Sequence, residues 1–460
     1  MIPKGQGMER VDYMRFEELS IKYNESNMPL YLTYPVQSNW RGVYREALSP
    51  AAPGRHAPPF LYFHFPFCPK ACYYCMCYKH ITTDVARLEE YARYLKKEIA
   101  VKLDRTGVAG TEIRQMHWGG GTPTYMPERL IEDVILCIAG AVSLSKDTGA
   151  GYSIEAYPDE EQVTESKLLC LKRLGFNEIS FGIQDFDERV QRAINRTCSV
   201  HSTRKIIEAA RAAGLRVHVD LCYGLPFQGL GEFERTLKTV AAMHPDRIAC
   251  FTYAHYPLEF PLQANIPRLA LPNPFIRLLL AKLAGDVLSG SGYLKIGYDH
   301  YAVPGDPLHT AYKNKSAVRD LMGYSVEGRN EYVGFGASAI SFMGGCYMQN
   351  STALQSYFNA LDHDDVPLEK NVFHAHNDDD RIRFDIIQKQ LMTYFAIDVR
   401  EINARYGIDF RSCFSGELER LGRYRSDGLI EDAGDCIRVT DDGRYFLRHI
   451  AHIFDTYYTH

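Results

Sequence analysis

The chain has 460 residues, 46% of them hydrophobic and 24% charged, with 35 Gly, 22 Pro and 12 Cys. These fractions exclude a collagen, a coiled coil and a disordered tail protein, and the length allows two or three domains or one large α/β domain with additions. A formal net charge of −5 leaves no electrostatic footprint for nucleic acid or an anionic membrane surface.

No apolar run approaches the roughly 18 residues a membrane span needs. Residues 1–7 hold one Lys with no apolar core behind it, so they do not read as a secretory leader. A cytoplasmic protein is therefore expected, in which cysteines serve as buried thiols, metal ligands or catalytic groups.

The first 56 residues are irregular. Apolar or β-rich runs then follow at residues 61–66, 113–120, 152–157, 178–186, 217–223 and 247–253. Helical patterns separate them at residues 84–103, 128–142, 160–174, 202–213 and 231–243. This alternation predicts βαβ units and a parallel sheet, either a partial (β/α)6 barrel or a doubly wound sheet, with ligands at the C-terminal ends of the strands.

Beyond about residue 270 the alternation fades. Pro272, Asn273 and Pro274 read as a linker before a helical run at 275–288. Residues 427–431 and 437–443 resemble the wing of a winged-helix fold. Without a Lys/Arg stripe, a structural role is expected for it rather than DNA binding.

Four cysteines, Cys68, Cys72, Cys75 and Cys77, fall within ten residues directly after the first strand. Chance clustering and a structural zinc are the plain alternatives, but zinc knuckles pair two well-separated CxxC elements. The pattern C-x3-C-x2-C favours an iron–sulfur cluster held by three thiolates, which leaves one iron open to a substrate. His117-Trp118-Gly119-Gly120-Gly121-Thr122-Pro123 closes the second strand, where glycines let the backbone approach a ligand and offer N–H and C=O groups. The other eight cysteines, Cys137, Cys170, Cys198, Cys222, Cys250, Cys346, Cys413 and Cys436, are expected to be small buried hydrophobes.

Cys68-x3-Cys72-x2-Cys75, with Tyr74 before the third cysteine, resembles the signature of the radical S-adenosylmethionine (SAM) superfamily. Within it the chain resembles the oxygen-independent coproporphyrinogen III oxidase family. The carrying segments include Tyr62-Phe63-His64-Phe65-Pro66-Phe67-Cys68, Cys75-Met76-Cys77, Gly182-Ile183-Gln184-Asp185-Phe186, Tyr223-Gly224-Leu225-Pro226, Asp299-His300 and Gly336-Ala337-Ser338-Ala339-Ile340-Ser341.

The resemblance implies a partial (β/α)6 TIM-like barrel with an N-terminal extension and a mostly helical C-terminal domain. Its implied divisions are 1–56 as a substrate-covering segment, 57–270 as the barrel core, 271–365 as barrel completion and linker, and 366–460 as a helical, winged-helix-like domain. It implies a [4Fe–4S] cluster on Cys68, Cys72 and Cys75, and two SAM molecules. Tyr62, Gly120, Glu155 and Ile340 would surround the cluster-bound SAM; Tyr74, Gly121, Thr122, Gln184, Arg196, Asp220 and Ala254 would surround the second. Cys77 and Arg196 are the candidate catalytic residues. Cys77 is either an aid to electron or proton transfer or a bystander thiol, and Arg196 either forks onto a carboxylate or pairs with Asp187 or Glu188.

The implied reaction is radical decarboxylation of two tetrapyrrole propionates to vinyls. The partners are a tetrapyrrole and an electron donor such as flavodoxin or ferredoxin, and a monomer is expected. A related two-SAM enzyme that methylates its substrate or opens the haem ring, and a haem-binding chaperone, are the alternatives. Two positions depart from the family. Leu30 stands where the family has Arg, and Tyr157-Pro158-Asp159 replaces Asp-Pro-Arg, both reducing positive charge toward a tetra-anionic substrate.

Overall fold

Parallel strands that are covered on both faces need apolar residues on both sides. β1 (Phe60–Phe65) shows this, with every residue after Phe60 buried. The computed structural model describes residues 10–23, 28–43, 60–147, 149–326, 331–373 and 378–457. Residues 1–7 and parts of the 1–56 segment therefore lie outside the described residues. β1 is followed by β2 (Gln115–Gly120), β3 (Gly151–Ala156), β4 (Glu178–Gln184), β5 (Arg216–Tyr223) and β6 (Arg247–Thr252). All six are parallel and neighbour one another in chain order. A doubly wound sheet would reverse direction at a switch point. These six strands run in one order with no switch point among them, as in the partial barrel.

The connecting helices are α2 (Val85–Arg105), α3 (Glu128–Ala141), α4 (Glu165–Arg173), α6 (Val200–Ala212) and α7 (Leu230–Ala241), with α1 (Arg10–Lys22) preceding the barrel. Side-chain caps set several starts: Asp84, Thr164 and Ser199 each accept a first-turn N–H. The Thr164 cap explains why α4 begins five residues later than the periodicity suggests. The pattern missed α5 (Glu188–Ala193), whose six residues are too few to show a period. Asn273 and Pro274 are not a linker. They are the N-cap and first residue of α8 (Pro274–Gly290), where a proline's missing N–H costs nothing.

The sheet extends on both sides. β8 (His300–Ala302) pairs antiparallel with β6, and β7 (Leu294–Ile296) pairs antiparallel with β8 at the sheet edge. β9 (Val318–Asp320) and β10 (Gly323–Ser325) form a separate hairpin. β11 (Tyr332–Phe335) is a seventh parallel strand on the far side of β1, continued antiparallel by β12 (Ile340–Met343), β13 (Cys346–Asn350) and β14 (Leu368–Phe373). The C-terminal region is mostly helical with a three-stranded sheet of β15 (Ala396–Asp398), β16 (Ile430–Ala433) and β17 (Cys436–Val439). Its core is shared with Phe16, Leu19, Tyr23, Tyr31, Tyr34 and Trp40 from the N-terminal segment.

Five of the eight scattered cysteines are buried as expected. Cys413 is exposed, on a four-residue helix at the surface, and Cys137 and Cys436 are half-buried.

Candidate active site

The loop after β1 starts at Cys68 and closes on itself. Phe67–Cys68 pairs with His80–Ile81, with His80 N–H donating to Pro66 O (2.6 Å) and Thr82 N–H to Cys68 O (3.1 Å). Three outside contacts pin its middle. Tyr73 N–H donates to Ile194 O (2.9 Å), Asn195 Nδ2 to Ala71 O (2.7 Å) and Gln263 Nε2 to Tyr74 O (3.1 Å). Lys79 Nζ donates to Cys75 O (3.1 Å) and Cys77 O (3.3 Å) from within the loop.

Cys68, Cys72 and Cys75 face one cavity of about 580 Å³, lined also by Tyr74, Cys77, Gly120, Gly121, Thr122, Glu155, Gln184, Arg196, Asp220 and Ala254. A second cavity of about 1100 Å³ adjoins it and contains Tyr62 and Ile340. Cys77, Lys79, Gly120, Glu155, Ser180 and Asp220 lie on the shared wall. The structure thus gathers all fifteen expected site residues around two adjoining spaces. Tyr74, Gly121, Thr122, Gln184, Arg196 and Ala254 line the cysteine cavity, Tyr62 and Ile340 line the larger space, and Gly120, Glu155 and Asp220 line both.

The glycine motif serves the protein first. A Cβ on Gly120 (φ +106°) would meet the His64 ring at 2.5 Å, and one on Gly121 would meet Phe67 O at 2.7 Å. Its N–H groups are not offered to a ligand. Gly120 donates to Glu155 Oε2 (3.1 Å), Gly121 to Phe65 O (2.7 Å) and Thr122 to Phe67 O (3.0 Å). Glu155 also receives His117 Nε2 at 3.2 Å, and His117 Nδ1 lies 2.7 Å from Ser153 Oγ. Tyr62 Oη and His64 Nδ1 are 2.8 Å apart.

Arg196 makes neither of the ion pairs suggested for it. Asp187 caps α5 and Glu188 pairs with Arg192 (3.1 Å). The Arg196 guanidinium instead donates through Nε to Gly182 O (2.9 Å) and through Nη1 to Cys72 Sγ (3.3 Å), and lies 4.4 Å over the Tyr157 ring. Gly182 is what admits it, because a Cβ there would stand 2.7 Å from Arg196 Nη2. Tyr157, one of the departures, therefore supports the arginine by stacking. Asp220 accepts from Ser180 Oγ (3.2 Å), and burial together with the charge of Glu155 pushes its carboxyl up to about 7.

Sequence reasoning passed over Ser180 and His218. A signal was available: His117, Ser153, Glu155, Ser180, His218 and Asp220 are polar residues at alternate positions of apolar strands, and all line the larger cavity. In a barrel such positions share one face. Arg319 and Asp320, on β9, left no comparable trace.

The family model of the radical SAM superfamily matches residues 62–240, and that of the HemN C-terminal domain matches residues 378–446. An oxygen-independent coproporphyrinogen III oxidase of Pseudomonas aeruginosa is 37% identical over 97% of both chains. The chain belongs to the oxygen-independent coproporphyrinogen III oxidase family. A protein of the same name from Escherichia coli is 36% identical over 95% of this chain and 94% of its own. The solved structure described as coproporphyrinogen III oxidase (HemN) from Escherichia coli, a radical SAM enzyme, superposes with a TM-score of 0.85 at 34% identity, covering 93% of this chain and 98% of that one.

Membership makes the chain a radical SAM oxidoreductase that uses a [4Fe–4S] cluster and SAM. The donor set fits the cluster. The three cysteines are free thiols around one cavity. Among the described residues no three His, Cys, Asp or Glu side chains converge on a single metal ion. Three thiols facing one cavity suit a cubane, where each takes a different iron. The hydrogen bond with Cys77 pulls the Cys75 thiol down to about 6 and pushes Cys77 up. No helix among the described residues is long and apolar enough to cross a membrane.

Proposed function

We propose that this chain converts coproporphyrinogen III to protoporphyrinogen IX without oxygen, by oxidative decarboxylation of two propionates to vinyls. The observation that carries this reading is the larger cavity, about 1100 Å³, sharing a wall with the cysteine cavity. A tetrapyrrole in the first reaches chemistry generated in the second. Bound together, the cluster and SAM supply one-electron reductive cleavage to a 5′-deoxyadenosyl radical.

The chain's own groups bind and orient. Cys68, Cys72 and Cys75 hold the cluster. Arg196 is fixed by Gly182 O and Tyr157 to receive a SAM carboxylate. Asp220 and Gln184 accept from ribose hydroxyls or an ammonium, and Tyr74, Gly121, Thr122 and Ala254 complete that cavity. Following the resemblance, this set surrounds the second SAM, and Tyr62, Gly120, Glu155 and Ile340 surround the cluster-bound one. Cys77, on the shared wall, is placed for proton or electron transfer.

A tetrapyrrole partner, a flavodoxin- or ferredoxin-type electron donor, a monomeric state and a cytoplasmic location complete the proposal. The division into segment 1–56, barrel 57–270, completion 271–365 and C-terminal domain 366–460 also belongs to it.

The test is anaerobic reconstitution followed by incubation with SAM, a reductant and coproporphyrinogen III. Protoporphyrinogen, CO2 and 5′-deoxyadenosine are expected. Cys68→Ala, Cys72→Ala and Cys75→Ala should lack the cluster, and Cys77→Ala should keep it. A methylated tetrapyrrole or an opened haem as sole product would overturn the substrate assignment, and haem binding without 5′-deoxyadenosine would point to a chaperone.

A further inference from the structure

Asp320 is a carboxylate that the site residues discussed so far leave unexplained. It ends β9, is 5% exposed, and lines the larger cavity together with Leu321, Met322 and Ile340. Oδ1 accepts from Met322 N–H at 2.9 Å. Among the described residues it has no ion-pair partner. The adjacent Arg319 is committed elsewhere, with Nη1 and Nη2 donating to Asp299 Oδ1 (3.0 Å) and Oδ2 (2.9 Å). A carboxylate held in an apolar wall without a cation is costly unless a ligand supplies donors.

The ligand chemistry that fits is specific. A porphyrinogen carries four pyrrole N–H groups that can tilt to one face and converge. A free-base porphyrin has two, and its metal complex has none. We infer that Asp320 accepts the pyrrole N–H groups of the bound macrocycle through the carboxylate oxygen not used by Met322, and so selects reduced, metal-free tetrapyrroles over metallated ones. This rests on the proposed tetrapyrrole substrate and names the residue that reads its oxidation and metal state. Burial pushes the Asp320 carboxyl up to about 7 against the opposing effects of Met322 N–H, Arg319 and His117. Converging N–H donors hold the ionised form.

The experiment is anaerobic equilibrium binding of coproporphyrinogen III, coproporphyrin III and zinc coproporphyrin III to the cluster-loaded protein with SAM. The comparison is between wild type, Asp320→Asn and Asp320→Leu. The three ligands share their four propionates, so differences report on the centre of the ring. Wild type should bind them in that order. Both variants should weaken coproporphyrinogen by roughly tenfold or more, the loss of a charge-assisted hydrogen bond. Zinc coproporphyrin should stay within about twofold of wild type on the same scale. SAM affinity and the cluster spectrum should not change.

Equal weakening of all three ligands would assign Asp320 a structural role and overturn the inference. A selective loss of SAM affinity would assign it to a SAM ammonium and overturn it equally. Wild-type binding with the predicted discrimination, but no decarboxylation, would remove the proposed reaction and leave this inference standing. No binding of any of the three would remove both.

Discussion

Asp220 carries the clearest titration consequence. Its carboxyl lies near 7 in the folded chain against 3.8 for the ordinary group, because burial and the Glu155 charge disfavour ionisation. Between about pH 4 and pH 7 the folded state keeps a proton that the unfolded chain has released, so stability falls as pH rises through this window. The shift sets a ceiling of about 4 kcal/mol. With solvent reaching the cavity, roughly 1–2 kcal/mol is expected. Asp220→Asn removes the titration. In thermal unfolding without SAM, the variant should be more resistant than wild type at pH 8, and the two should converge near pH 4. The same variant should lose SAM affinity, because an amide cannot replace a carboxylate that accepts from hydroxyls and an ammonium. Parallel pH profiles for variant and wild type would remove the buried-acid account.

At the scale of elements, the barrel is closed by a contact between its first helix and its last parallel strand. Lys102 on α2 is buried and donates to Gly334 O (2.5 Å) and Asn350 Oδ1 (2.9 Å), beside Glu98 Oε1 at 3.2 Å. Glu98 in turn accepts from Gly336 N–H (2.6 Å), Asn350 Nδ2 (2.7 Å) and Tyr357 Oη (2.8 Å). The network joins α2, β11, β13 and the helix Leu354–Asp362. Lys102→Met strands Glu98 as an unpaired buried charge, and a loss of about 3–5 kcal/mol is expected in denaturant unfolding. Adding Glu98→Gln should recover part of it, so the double variant should be less impaired than the two single losses summed. Simple additivity would mean that the pair does not act as a unit. This network also shows where the sequence stops informing. Glu98 and Lys102, four apart on a helix, carry the signature of an exposed surface pair. Their burial depends on β11, a four-residue strand more than two hundred positions away. The six long parallel strands were legible because each is a continuous apolar run ending at a turn. β7 to β13, three to five residues each, were not, since short strands show neither a period nor a length. The cluster loop was legible from cysteine spacing alone, whereas Asp320 was not, because its meaning depends on which cavity β9 happens to line.

The whole molecule builds the larger cavity from three separate stretches, and its charge balance follows from that. The N-terminal segment contributes Leu30, Leu32, Gln37 and Ser38, the barrel contributes its inward faces, and the later strands contribute Arg319, Asp320 and Lys370. The segment is anchored by β13 and by the C-terminal domain. Trp40 stacks on Tyr347 with centroids 5.1 Å apart, Tyr31 Oη lies 3.2 Å from Asp455 Oδ2, and Arg15 pairs with Asp442 at 2.8 Å. Leu30 is therefore held against the cavity by a fixed wall. Of the cations lining this space, Arg216, Arg247 and Arg319 are already paired with Glu178 (2.6 Å), Asp306 (2.8 Å) and Asp299 (2.9 Å). Among the described residues a tetra-anionic substrate thus meets few cations without an anionic partner, Lys79 and Lys370 being two, and the leucine at position 30 withholds one more. Leu30→Arg should lower KM for coproporphyrinogen III by roughly three- to tenfold, the gain of about one charge-assisted contact at a partly solvated site. The kcat for SAM cleavage should stay near wild type, since Leu30 does not line the cysteine cavity. The gain should shrink as salt rises from low to physiological ionic strength, because the new contact is reached by solvent. An unchanged KM at low salt would mean that no propionate comes within reach of position 30, and the substrate would then have to lie closer to Lys79 and the shared wall. A raised KM would mean that the apolar side chain packs against the macrocycle, so that Leu30 contributes contact area and the family's arginine at this position serves a differently seated ring.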